Sequence, residues 1–357
     1  MEMHVADLAE ALSRKAIRCE AICSPASRLD ERLREKDIHT HTIKSGGYVR
    51  PIAMMKAVAI LQKTIPDAIH VHYSKDLWWL IPALLFYKKI PVLLSKHIGT
   101  QKPKRDFLHR FLYTRLRFII AISNVIRENI IATHPIHAEN VVVVHHGVKL
   151  ERYNPEIIDR AAQRRQLGYD DKQLVLGIIG RLQASKGYIE FLEMAAAIRA
   201  EYPNVRFLMI GEASRGEDDE AQKILKKIET ARLWDVVQWC GFRQDVPEML
   251  SAMDIFIFPS HAEAFGLVLI EAMSMAKPVI SSNCDGVLDI VVDGECGLLT
   301  PPKDVPALIS ATKLLINNEE LRTKFSQNAR QRAVKYFVDE KMIQKIRELY
   351  VQAVKEF

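Results

Sequence analysis

From residue 174 onward, short apolar runs alternate with longer stretches whose apolar positions recur every three or four residues. Runs at 174–179, 206–210, 236–240, 255–258, 278–281 and 297–299 read as strands, and stretches at 188–202, 217–232 and 304–317 as amphipathic helices. The first half shows the alternation less sharply. Its strand-like runs are 68–72, 91–95, 118–122 and 141–144, with helical spacing in Phe107, Leu108, Phe111, Leu112 and Leu116. Apolar strands separated by helices predict parallel sheets covered on both faces. The closing stretch, 339–357, places Met342, Ile343, Ile346, Leu349, Tyr350 and Ala353 on one side of a charged helix. The expected α/β architecture is two doubly wound parallel-sheet domains, 1–155 with the closing helix 337–357, and 156–336. The pattern breaks near Asn154-Pro155, and 357 residues are comfortable for two cores.

Charge separates the halves. Residues 1–150 carry 23 Lys+Arg against 13 Asp+Glu, whereas the remainder carries 27 against 31. Much of the excess lies between Lys88 and Arg117, where nine cations meet one acid, Asp106. Two halves with opposite balance are expected to face different partners. No apolar run approaches the roughly 18 residues needed to span a bilayer, and His4, Asp7 and Glu10 interrupt any leader-like opening. A cytoplasmic protein is expected. Five cysteines without a Cys-x2-Cys pair suit small buried hydrophobes rather than a disulfide set.

The most informative segment is 259–271, Pro-Ser-His-Ala-Glu-Ala-Phe-Gly-Leu-Val-Leu-Ile-Glu. An apolar strand ends at Pro259 and a helix begins after Gly266. The backbone N–H groups around Phe265, Gly266 and Leu267 should therefore leave a helix N-terminus, which attracts phosphate or sugar oxygens. Glycine at 266 lets a ligand approach the backbone. Glu263 precedes the helix and can accept from sugar hydroxyls. Glu271, about a turn inside, can reach vicinal hydroxyls such as those of a ribose.

Other strand ends add to this. After 174–179 comes Gly180-Arg181-Leu182-Gln183-Ala184-Ser185-Lys186-Gly187, in which two cations five apart can stabilise the charge of a diphosphate leaving group. Gly211 follows the next strand in a turn that a ligand could approach. The glycines of 284–297 suggest further close turns or a plain loop. Gly-x-Gly-x-x-Gly and Gly-x4-Gly-Lys-[Ser/Thr] are absent, which disfavours a dinucleotide oxidoreductase and a P-loop NTPase. Asp-x-Asp is absent too, so no metal or other cofactor is expected at the diphosphate. The acids at 217–220 read as the first turn of a helix. Among the histidines, His70 and His72 share one strand face, and His97 stands at a strand end where it should face a ligand. The spacing of the histidines matches no zinc motif.

With these residues in place, the chain resembles the retaining glycosyltransferases of family 4, which have the GT-B fold. The likeness runs over essentially the whole length. It rests on Gly180-Arg181 with Lys186-Gly187, Glu263-x7-Glu271, Pro278-Val279-Ile280, and Asp293-Gly294 with Gly297-Leu298-Leu299. In the first half it rests on 69–72, Lys96-His97, 121–123 and His146-Gly147-Val148 with Tyr153 and Pro155. There His146 stands where asparagine is usual and Lys149 where aspartate is usual. The resemblance implies that Arg181 and Lys186 hold the donor diphosphate without metal and that Glu271 binds the ribose. It implies that Glu263 and the Phe265, Gly266 and Leu267 amides hold the donor sugar, that His97 reaches the sugar, and that the last helix returns to the first domain. Family members open with a strand and a Gly-Gly loop before a helix like Glu2-Met3-His4-Val5-Ala6-Asp7-Leu8-Ala9. That strand is expected to be missing here, with a less stable first domain and weakened transfer.

The implied partners are a nucleotide sugar and a glycan or lipid-linked acceptor. The basic segment from Lys88 to Arg117 could also touch anionic lipid; the plainer reading is a solvated helix face with Phe107, Phe111 and Leu112 packed on the sheet. Nucleic acid is not expected. A nucleotide-sugar isomerase of the same fold and a non-catalytic nucleotide-sugar binder are the alternatives.

Overall fold

The computed structural model describes residues 2–44, 50–214 and 216–356. The chain forms two compact units, Met1–His145 with Glu340–Phe357, and His146–Asp339. The division thus falls ahead of the break at 155.

The first unit contains β1 (Glu20–Cys23), β2 (His39–Thr42), β3 (Ile69–Val71), β4 (Val92–Lys96), β5 (Leu116–Ala121) and β6 (Val141–Val143). Strands β3 to β6 form a parallel sheet in chain order, and β1 pairs with β2 in a separate two-stranded sheet. The four expected runs became β3 to β6. Strands β1 and β2 were not expected, because Glu-Ala-Ile-Cys and His-Thr-His-Thr are four residues each and give no apolar run. Pairing and packing hold them instead: Ala21 packs on a cluster of Ala6, Leu33 and Ile38.

The first helix, Glu2–Ser13, serves both sheets. Its Ala6 joins the cluster beside β1, while Leu8 and Leu12 join Leu93, Phe118 and Ile120 of the larger sheet. The closing helix, Asp339–Lys355, packs Met342, Ile343, Ile346, Leu349 and Ala353 into that second cluster. Its return to the first unit follows the expectation.

The segment before β5 departs from the reading. Helix Phe107–Tyr113 is only seven residues long, and Leu116 begins β5 rather than continuing the helical face. Asp106 starts the helix by accepting from the His109 N–H, and the strand follows three residues after its end. Two turns seat only Leu112 and Tyr113, so Phe107, Leu108 and Phe111 stay 82%, 54% and 39% exposed. Phe107 and Phe111 are therefore not the buried face that their spacing suggests.

The second unit is one parallel sheet of β7 (Leu174–Ile179), β8 (Val205–Ile210), β9 (Val237–Trp239), β10 (Ile255–Phe258), β11 (Val279–Ser282) and β12 (Gly297–Thr300). Its order is β12-β11-β10-β7-β8-β9. Six of six expected runs lie on these strands, because apolar residues on both faces leave little choice but a covered sheet. Phe191, Phe207, Phe256 and Phe325 are fully enclosed. Val148 bridges to Val338, donating to Phe337 and accepting from Asp339, which ties residues 146 onward to this unit. Strands run outward in both directions from β7 and β10. At such a reversal the loops leaving neighbouring strands diverge and open a crevice at their carboxyl ends. Among the described residues no helix is long and apolar enough to cross a membrane.

Because Leu8 is 3% exposed in the helix that serves both sheets, Leu8→Ala should destabilise the first unit by about 2–5 kcal/mol. Denaturant midpoints with peptide-resolved hydrogen exchange measure this; faster exchange confined to the second unit would contradict it.

Candidate active site

The loops after β7, β8 and β10 are built around glycines. Gly187 has φ +79° and begins helix Tyr188–Glu201. A Cβ there would lie 2.1 Å from the Pro259 carbonyl oxygen, so the turn after β7 rests directly on the chain leaving β10. Gly211, with φ +141°, crosses the chain after β7, where a Cβ would come within 1.7 Å of the Gly180 oxygen. At Gly180 the same test finds nothing nearer than 3.9 Å, which leaves open space beside its backbone.

Across the β7–β10 junction, Lys186 Nζ donates to Glu263 Oε2 at 2.6 Å, with the two side chains 20% and 17% exposed. Two residues 77 apart in sequence thus form one charge-assisted pair. Arg181 lies on the exposed side of the same turn, with its Nη1 3.5 Å from Ser214 Oγ.

The segment 263–267 is braced from behind. The Glu263 N–H donates to Asp285 Oδ2 at 3.1 Å, and the Gly286 N–H donates to the Glu263 carbonyl at 2.9 Å. A Cβ on Gly286 would come within 2.3 Å of the Ala264 oxygen. The close turn that the glycines of this segment suggest is thus present at Gly286, and Asp285 and Gly286 support Glu263. The Asp-Gly step was the available signal. Gly266, φ +101°, caps helix Leu267–Ser274. The Phe265 ring is buried, meeting His146 and Phe337 edge to face at 5.6 and 6.1 Å. Only the backbone of Phe265 can serve a ligand, whereas Leu267 is 46% exposed.

Glu271 Oε1 accepts from the Tyr153 hydroxyl at 2.8 Å. The residue keeps some accessible surface, yet its carboxyl is enclosed by protein, and burial pushes it up to about 7. The Tyr153 hydrogen bond acts the other way, favouring the ionised form. Arg330 donates to the Tyr153 carbonyl at 2.7 Å and fixes that residue. Sequence reading placed Tyr153 in a motif but gave its hydroxyl no role.

His97 belongs to the first unit, directly after β4, whereas the other named residues belong to the second. Its ring lies 5.5 Å from His4 and 6.0 Å from His72 between centroids. Neighbouring His70 places Nδ1 2.7 Å from Tyr350 Oη and Nε2 2.8 Å from Ser95 Oγ. Burial, first of all, brings His70 and His97 down to about 3. Both rings are neutral at physiological pH and act as hydrogen-bonding groups, not cations.

Residues 1–152 match the model of Glycosyltransferase Family 4, and residues 159–332 that of Glycosyl transferases group 1. The chain belongs to this glycosyltransferase family. It is 28% identical, over 91% of its length and 93% of the relative, to the capsular polysaccharide biosynthesis glycosyltransferase CapM of Staphylococcus aureus. To the alpha-D-kanosaminyltransferase of Streptomyces kanamyceticus it is 32% identical, over 48% of this chain and 43% of that one. The chain thus spans about half the length of some curated relatives and nearly all of another. Among solved structures, a glycosyltransferase from Rickettsia africae ESF-5 aligns over 100% of this chain and 95% of its own, with TM-score 0.89 and 20% identity. Anabaena HepE in complex with UDP aligns over 98% and 96%, with TM-score 0.87 and 23% identity. The fold of this glycosyltransferase is GT-B, with two Rossmann-like domains.

The raised Glu271 carboxyl has a consequence for stability. A group that binds its proton more tightly when folded contributes stability present below its unfolded value, 4.5, and lost as pH rises through about 7. Glu271→Gln removes that loss. Urea midpoints of the variant should therefore gain on the parent between pH 4.5 and 7, and a constant difference across this window would exclude the assignment.

Proposed function

We propose that the protein transfers a sugar from a UDP- or GDP-sugar to a glycan or lipid-linked acceptor, with retention and without a metal, in cell-surface polysaccharide or lipopolysaccharide assembly. The observation that carries this is the Lys186–Glu263 pair at the β7–β10 junction, with Glu271 about one turn into the helix that follows. CapM, a relative along nearly the whole chain, is named for capsular polysaccharide synthesis, and HepE of similar fold was solved with UDP.

In this reading Arg181 and Lys186 stabilise the negative charge that grows on the departing diphosphate. An arriving phosphate takes Lys186 from Glu263. The freed carboxylate then accepts from hydroxyls of the donor sugar, so one exchange couples phosphate capture to sugar capture. Glu271, kept in place by Tyr153, accepts from the ribose. The amides at Phe265, Gly266 and Leu267 add donors at a helix N-terminus. The family resemblance assigns His97 to the sugar, and as a neutral ring it would do so by hydrogen bonding. Absence of Asp-x-Asp and presence of two cations support transfer without a metal.

The exposed Phe107, Leu108 and Phe111, amid Lys102, Lys104, Arg105 and Arg110, support a peripheral contact with anionic membrane. Apolar side chains can enter the headgroup boundary while each nearby cation contributes about 1 kcal/mol.

Incubation with radiolabelled UDP- and GDP-sugars and membrane extract tests the reading. Labelled lipid or glycan supports transfer, an altered sugar supports an isomerase, and binding without turnover supports a binding subunit. Arg181→Ala and Lys186→Ala should each lower turnover roughly 10²–10³-fold; near-normal rates in both would sink the clamp. Phe107→Ser with Phe111→Ser should reduce flotation with vesicles rich in phosphatidylserine, and equal flotation would count against the membrane contact.

A further inference from the structure

Glu20, His39 and His41 converge on one face of the β1–β2 pair. The register sets Glu20 beside His39 and Ile22 beside His41. Alternation sends their neighbours to the opposite face, where Ala21 packs near Leu33 and Thr40 donates to Asp30 at 2.8 Å. His41 Nε2 lies 2.8 Å from Glu20 Oε2. The rings of His39 and His41 meet edge to face, 4.7 Å between centroids. One ligand atom from each of the three residues lies within 4.8 Å of the others. Glu20 and His41 are 17% and 16% exposed, while His39 is open to solvent.

We propose that these three side chains bind a divalent ion of the zinc class, with water in the fourth position. Two imidazoles and a carboxylate suit Zn²⁺, Ni²⁺ or Cu²⁺, whereas Mg²⁺ and Ca²⁺ take oxygen ligands. A tetrahedral ion with bonds of about 2.0–2.1 Å holds its ligand atoms about 3.3 Å apart. Glu20 and His41 are already closer than this, and a small separation admits the ion between them. His39 is exposed, so turning its ring inward sacrifices little packing.

Arg18 is ion-paired with the other Glu20 oxygen. That contact orients the carboxylate with Oε2 toward the imidazoles, as outer partners of metal ligands do. The Arg18 cation also opposes an added cation, which points to moderate affinity. The ion would cross-link two four-residue strands whose ladder, among the described residues, involves only each other. Such a short ribbon has little stability of its own. This assignment is independent of the donor-sugar reading.

CoCl₂ and ZnCl₂ titrated into the chelator-treated full chain test it. The expected result is one Co²⁺ per chain with the intense visible bands of a four-coordinate ion, displaced by Zn²⁺, and slower amide exchange in β1 and β2. His39→Ala, at an exposed position, should weaken binding by at least about 10-fold, the lower end for losing even an outer partner. Glu20→Gln, which keeps the shape, should do the same. Undiminished affinity in both, or six-coordinate cobalt bands alone, would overturn the site. So would loss of binding in His72→Ala with retention in His39→Ala, since the ion would then lie with His4, His70 and His97.

Discussion

The site in the second unit depends on how closely backbones can approach at the β7–β10 junction. Gly187 rests on the Pro259 carbonyl, Gly211 on Gly180, and Gly286 on Ala264, each at a distance that no side chain would permit. These contacts draw the ends of four parallel strands, β7, β8, β10 and β11, together and leave their loops facing one crevice. The Lys186–Glu263 pair follows from that approach. Without the first of these contacts, the turn carrying Lys186 would stand away from the segment carrying Glu263. Backbone sterics thus come first, and the charge chemistry is arranged on top of them.

Buried ionisable groups divide by what satisfies them. Lys277 is enclosed and brought down to about 7 by burial, yet its Nζ donates to the carbonyls of Ser251 and Met253 at the end of helix Val246–Ala252. Arg160 donates to the same two carbonyls and to Asp254. Those side chains serve the fold, since these hydrogen bonds go to backbone carbonyls and to Asp254. Glu271 differs. One oxygen accepts from Tyr153, and the residue retains accessible surface at a helix that begins beside the Glu263 loop. Its enclosed carboxyl meets a single hydroxyl, where Lys277 meets two backbone carbonyls.

Much of this was legible before any coordinates. The strands of the second unit are apolar on both faces, so period and length identified them, and Gly266 and Gly187 marked the turns. Spacing from those turns also singled out Lys186 and Glu263, which the structure brings together. The close turn at Asp285-Gly286 was legible, but its support of Glu263, 22 residues away, was not, since local pattern carries no record of such a partner. The exposure of Phe107 and Phe111 escaped for another reason. Their spacing fits a buried helix face, and only the shortness of the helix and the entry of Leu116 into β5 decide otherwise.

The amino-acid sequence alone determined the parallel α/β architecture and the glycine-punctuated strand ends, because these rest on periodicity and on local steric rules. Tertiary structure decided which groups meet: Lys186 with Glu263, Tyr153 with Glu271, and Glu20 with His39 and His41. It also decided that a strand could form from His-Thr-His-Thr at all. The reason is common to these cases. Pairing register and side-chain approach are set by distant chain segments, and a contact across tens of residues costs chain entropy that only the assembled core offsets.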